Sequence, residues 1–190
     1  CRGEICGLRW SDIDFNASTI SVNRTVEYIP HEGLIFTAPK TKASNRTFKV
    51  GANCMDMLRE YQLYQKAERL RVGSMWARTV QVENGKTVQN DLLFTSWDGT
   101  PFDLERLTTW FPHFLRAHDL PAVHFHSLRH TYASLMIAAH VPITTVSGRL
   151  GHAQTSTTTD IYAGFIRTAD AAASDAMEIV FDNIREKSRA

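Results

Sequence analysis

The sequence has few cysteines, no long apolar run and no excess of either charge. Its three cysteines, Cys1, Cys6 and Cys54, are odd in number and show no close pairing. That argues against a disulfide framework and fits a reducing compartment. No stretch approaches the roughly 20 apolar residues of a membrane-spanning helix, and no basic-then-apolar leader opens the chain. No membrane partner and no secretion are therefore expected, and the expected location is cytoplasmic. With 21 Lys+Arg against 20 Asp+Glu, the formal net charge is only +1, so global charge alone does not call for nucleic acid. What remains is an ordinary globular composition, 43% hydrophobic and 22% charged over 190 residues. That is enough for one domain, residues 1–190, with its own core and no linker or repeat.

Charge is segregated locally. Lys40, Lys42, Arg46 and Lys49 fall within ten residues that carry no acid, whereas Asp170, Asp175, Glu178, Asp182 and Glu186 gather near the end. Such a cluster is as readily a solvated face as a DNA-binding one, and charge does not decide between them.

Periodicity predicts a mostly helical α+β domain with one small sheet. Arg2 to Trp10 has helical spacing and ends at Ser11-Asp12, so the chain is expected to open inside a helix, at a fragment boundary. The β-branched run Ser18–Ile29, then Leu34–Ala38 and Arg46–Val50, predict a three-stranded antiparallel sheet, with Lys40–Asn45 as a connecting hairpin. A helix is predicted over Ala52–Val72 with Cys54, Leu58, Tyr61 and Ala67–Leu70 inward. Val80, Val82 and Val88 around Asn84-Gly85 give a minor hairpin or an exposed insertion, Leu92–Thr95 a short strand, and Trp97–Pro101 a turn. Asp103 caps a helix with Leu107, Trp110, Phe111, Phe114 and Leu115 on its face. Ser127 caps the next, with Leu128, Tyr132, Leu135 and Met136 inward, and Pro142 starts another that runs to Leu150. Thr155–Tyr162 and Ala171–Arg185 read as the last helices.

Three segments carry chemistry: His126-Ser127-Leu128-Arg129, Leu150-Gly151-His152 and Asp160-Ile161-Tyr162. His126 and Arg129, three apart at a helix start, make an anion clamp, because free N–H groups and a partial positive charge gather there. Each segment alone has a plain structural explanation: a capped helix start, a helix ending at glycine, a half-buried tyrosine. The eight histidines do not suggest a metal, since His126 and His152 lack acidic or cysteine companions at ligand spacing.

Taken together and in order, these segments resemble the tyrosine recombinase (phage integrase) family. The phrases "HSLRHTYASLM" and "LGHAQTSTTTDIYAGF" are similar to its two C-terminal signature boxes, "RGEICGLRWSDIDF" to its first box and "PKTKASNRTFKV" to its β-hairpin. The resemblance implies the catalytic domain of an integrase of a phage or conjugative transposon, without the preceding core-binding domain. It implies double-stranded DNA as partner and a homo-oligomer, a tetramer on recombining DNA. Tyr162 would attack phosphorus to give a 3′-phosphotyrosine link. Arg129, His126 and His152 would hold the non-bridging oxygens, with His126 also placed as base toward Tyr162. Lys40, or Lys42 in its place, would protonate the departing 5′-oxygen. This set answers a physical need: a tyrosine of reference pKa about 10 requires activation, and the developing phosphorane charge requires fixed cationic donors. Neither cofactor nor metal is implied. The C-terminal helix resembles the segment that relatives dock onto a neighbouring protomer.

The chain departs from the family pattern in its first box. There an arginine stands three residues before the acid; with Glu4 as the acid, the matching position is Cys1, and Arg2 lies about 100° away round a helix. Impaired cleavage is expected on that ground, the alternative being an inactive DNA-binding module of the same fold. Gly164 stands where many relatives carry histidine.

Overall fold

The computed structural model describes residues 1–29, 31, 33–39, 44–82 and 85–151; the helices expected after residue 151 and residues 40–43 of the expected Lys40–Asn45 hairpin lie outside these. The chain divides into two compact units, Cys1–Ser127 and Leu128 onward.

The first unit opens with α1 (Arg2–Cys6), a 3-10 turn (Trp10–Asp12) and β1 (Ile13–Asp14), followed by β2 (Thr19–Val22), β3 (Thr25–Ile29), β4 (Gly33–Thr37) and β5 (Arg46–Lys49). The expected strand Ser18–Ile29 is thus two strands. It breaks at Asn23-Arg24 because both side chains turn back onto the buried Asp12: Asn23 Nδ2 donates to Asp12 Oδ1 at 3.2 Å, and the Arg24 guanidinium pairs with the other oxygen. The two halves then take different partners. The three-stranded sheet has the order β1-β2-β5, with Ile20 opposite Ile13 and Phe48, while β3 pairs with β4 in a separate ribbon. All these pairings are antiparallel, as expected, but β5 joins β2 rather than β4.

Helix α2 (Ala52–Val72) covers the three-stranded sheet, with Met55 packed among Ile13, Ile20 and Leu93. Its buried face differs from the expected one: Met55, Leu58, Tyr61 and Val72 turn inward, whereas Cys54 is exposed and Leu70 is 83% exposed. A polar residue sets this rotation. Gln65 donates to the carbonyls of Leu92 (3.2 Å) and Leu93 (2.9 Å) and accepts from Trp10 Nε1 at 2.7 Å. Satisfying these buried groups outweighs an apolar count.

After α2, β6 (Thr79–Gln81) and β7 (Thr87–Gln89) form the minor hairpin. Leu92–Thr95 is not a strand; it makes single bridges from Leu92 to Arg9 and from Thr95 to Pro101. Asn90 holds this segment, donating to the carbonyls of Ala77 and Gly99 at 2.7 Å each. The Trp97–Pro101 turn closes through Ser96 N–H to Thr100 O at 2.9 Å. Asp103 caps α3 (Leu104–Ala117) by accepting from Glu105 N–H at 2.9 Å, and Phe111 and Leu115 are buried as expected while Trp110 stays half exposed.

In the second unit, α4 (Ser127–Ala138) and α5 (Ile143–Leu150) meet through Ala133, Ile137, Val146 and Leu150. Of the four side chains expected inward on α4, only Met136 packs there; Leu128, Tyr132 and Leu135 are exposed. The stripe is centred instead on Ala133, whose small side chain lets α5 approach. Ser127 does not stand outside the helix as a cap but is its first residue, and Pro142 is the N-cap of α5.

Helix α1 rests on β3 at Gly3. A Cβ there would lie 2.3 Å from Thr25 Oγ1 and 2.5 Å from the Val26 carbonyl oxygen. Gly3→Ala is therefore expected to destabilise the first unit by about 1–3 kcal/mol, read as a lower urea midpoint at unchanged m-value; an unchanged midpoint would show that α1 does not rest on β3 in this way.

Candidate active site

Cys1 is exposed and occupies the N-cap of α1. Three residues on, Glu4 receives a bidentate fork from Arg46, Nη1 to Oε1 at 2.9 Å and Nη2 to Oε2 at 3.0 Å. Arg46 further donates to the Ser44 carbonyl at 2.9 Å. Both side chains of the pair are 14% exposed. Burial works to raise the Glu4 pKa, but hydrogen bonding, that from Arg46 first, overcomes it and holds the carboxyl at about 2.

This pair gives one member of the basic cluster a structural task. Arg46 is one of four cations whose cluster the sequence leaves open between a solvated face and a DNA-binding one; its guanidinium ties β5 to α1. The two residues are 42 apart in sequence, so no local pattern announces the pairing. The Arg2 guanidinium donates to the Thr108 hydroxyl on α3.

His126 directly precedes α4, and Arg129 lies half-buried in that helix's first turn. The expected placement at a helix start holds, and with it the partial positive charge of the N-terminus. Helix α5 ends as its sequence implies, at Gly151 with φ 72° and ψ 32°, the left-handed cap that glycine adopts without strain. Arg149 Nε donates to Tyr132 Oη at 2.7 Å. The last turn of α5 therefore lies against the α4 turn that follows Arg129, and His152 is the residue immediately after the cap. Lys40, His152 and Tyr162 themselves, with the alternative Lys42, lie outside the described residues, as does Gly164. Among the described residues no cluster of His, Cys, Asp or Glu could hold a metal, and no helix is long and apolar enough to cross a membrane.

The family model of the Phage integrase family matches residues 2–165, and the chain belongs to that family. It is similar to a tyrosine recombinase XerC-like protein of Caldanaerobacter subterraneus (34% identical, 87% of this chain, 42% of that protein). It is also similar to the ICEBs1 integrase of Bacillus subtilis (25% identical, 84% of this chain, 40% of that protein). The chain thus spans less than half the length of these relatives. Its fold is shared with the Tn1549 transposon integrase, solved in complex with circular intermediate DNA (TM-score 0.68, 18% identical, 84% of this chain and 50% of that chain). The XerA recombinase has the same fold (TM-score 0.60, 22% identical, 90% of this chain and 52% of that chain).

The Glu4–Arg46 pair has a pH signature. A carboxyl at about 2 in the folded chain against 4.5 unfolded contributes stability that is complete above pH 4.5 and is lost as pH falls toward 2. Glu4→Gln should lose on the order of 1–3 kcal/mol at neutral pH and show a shallower decline of unfolding free energy across that window. Parallel declines in the two proteins would contradict the assignment.

Proposed function

We propose that this chain cuts and rejoins double-stranded DNA through a 3′-phosphotyrosine intermediate, as the catalytic domain of a site-specific recombinase of an integrating element. The observation that carries the reading is the helix pair α4–α5. His126 and Arg129 flank the start of one helix, and the other returns to that end and stops at Gly151, next to His152. Tyr162 is the nucleophile. Arg129 offers a planar fork to two phosphate oxygens, a geometry lysine does not reproduce. His126 and His152 donate to the same charge as it develops, and His126 accepts the tyrosine proton. Lys40, with Lys42 as alternative, protonates the leaving 5′-oxygen. The covalent link conserves the bond for religation, so the reaction needs no nucleotide, and the cationic side chains take the place of a metal. The working form is a homo-oligomer, a tetramer on recombining DNA, in the cytoplasm of a bacterial host, and the C-terminal segment 171–185 is exchanged with a neighbour.

One observation favours a second reading, a DNA-binding module that cleaves poorly or not at all. At the position of the family's first arginine the chain has Cys1, and the nearby guanidiniums of Arg2 and Arg46 are engaged with Thr108 and Glu4. A thiol offers no cationic fork to a phosphate oxygen.

A nicked suicide duplex, which traps the covalent complex, tests both readings. The chain should yield a covalent adduct that Tyr162→Phe abolishes, and Arg129→Gln should lower its rate by roughly two or more orders of magnitude. An adduct that survives Tyr162→Phe would refute the assignment of the nucleophile. Cys1→Arg should raise the cleavage rate by roughly a hundredfold with little change in DNA affinity; an unchanged rate would mean that Cys1 is not the limiting position.

A further inference from the structure

The carboxyl-terminal end of α2 carries cations that the recombination chemistry does not use. Lys66, Arg69 and Arg78 surround an open hollow of about 650 Å³, with Trp76 at its floor and Leu70 on its wall. A smaller hollow of about 160 Å³ shares Lys66, Arg69 and Trp76 and extends to Trp10 and Asn90. Four other guanidiniums in this unit are each held by a carboxylate: Arg24 by Asp12, Arg46 by Glu4, Arg59 by Asp56, Arg71 by Glu68. Arg69 and Arg78 have no such partner among the described residues, and Lys66 has only the neutral Gln62 amide, at 3.2 Å.

The local balance is positive. Glu68, on the same helix, is neutralised by Arg71. Asp91 lines only the smaller hollow and accepts from Ser11 N–H at 2.9 Å. The carboxyl end of α2 adds about half a negative charge. Three cations therefore face at most one and a half opposing charges in a concave site, where field lines are focused.

We propose that this hollow binds phosphate groups of a nucleic acid outside the strand being cut. Two guanidinium groups and an ammonium lining one hollow match a phosphate, which presents several acceptor oxygens around one centre. A single carboxylate, with two oxygens and one charge, would leave cations unmatched. The site itself follows from the side chains; DNA as the source of the phosphate rests on the function proposed above.

The test compares the full chain with an Arg69→Gln/Arg78→Gln double variant, each in an Arg129→Gln background that silences the α4 anion clamp. Both replaced arginines are exposed, so folding is spared. The probes are inorganic pyrophosphate, a single-stranded oligonucleotide of about ten nucleotides and hexaglutamate, titrated by calorimetry at several salt concentrations. Oligonucleotide affinity should fall at least tenfold, and its log–log salt slope should drop by about 1.4, two contacts at roughly 0.7 each on a single strand. A loss confined to pyrophosphate would support the site with free phosphate as its source. Unchanged affinity for both phosphate probes would overturn the proposal, as would tighter binding of hexaglutamate than of pyrophosphate. Covalent trapping through Tyr162, run on the double variant with Arg129 intact, should be unaffected, so failure of this site and failure of the catalytic reading are separately visible.

Discussion

The contact between Glu4 and Arg46 fixes where β5 begins relative to α1. Arg46 is the first residue of β5, and Glu4 sits in α1. The fork of two hydrogen bonds fixes both separation and orientation, which a single contact would not. Two half-buried charges gain little net stability from meeting, because desolvation offsets much of the attraction. What the pair supplies is a position. β5 then pairs with β2, β2 with β1, and α2 lies across all three. The start of β5 in that sheet is tied to α1 through one arginine and one carboxylate.

Features set by neighbours in sequence are legible from the residues alone. The Asp103 cap, the Gly151 stop, the hairpin around Asn84-Gly85 and the helix start between His126 and Arg129 each depend on a few adjacent residues. What is not legible depends on partners far along the chain. The strand run Ser18–Ile29 looks continuous until Asp12 draws Asn23 and Arg24 out of it. The rotation of α2 is set by Gln65, whose polarity hides it from any hydrophobic pattern although it is a central contact of the helix. On α4 the packing residue is Ala133, too small to stand out beside Leu128 and Leu135. In the candidate site the helix start is legible, whereas the structural employment of Arg46 is not, since composition cannot separate a paired cation from an available one.

That separation also bears on how a chain of net charge +1 could meet the polyanion proposed as its partner. Net charge counts Arg24, Arg46, Arg59 and Arg71, each beside its own carboxylate, as fully as it counts Arg69 and Arg78. The paired arginines offer little to an incoming phosphate, because taking one would strand a carboxylate. The field that a ligand meets comes from the cations left over, and these are local. Overall balance therefore excludes nonspecific stickiness more than it excludes a nucleic-acid partner.

Binding and cleavage depend on such cations in different ways, and Cys1 bears on the difference. Affinity for a DNA backbone is a sum over many phosphate contacts, each releasing counterions, so losing one changes it by a modest factor. Cleavage depends on donors aimed at one phosphorus, and each acts only as charge develops there. Removing one leaves that charge without its fixed counterpart and costs about 3 kcal/mol of barrier, near a hundredfold in rate. Neither neighbouring guanidinium is spare: freeing Arg46 would leave Glu4 unpaired, and Arg2 is directed to Thr108 on α3. On the proposed function, a cysteine at position 1 would therefore be nearly silent for binding and severe for chemistry, so that one fold could hold a DNA site and still cut it slowly.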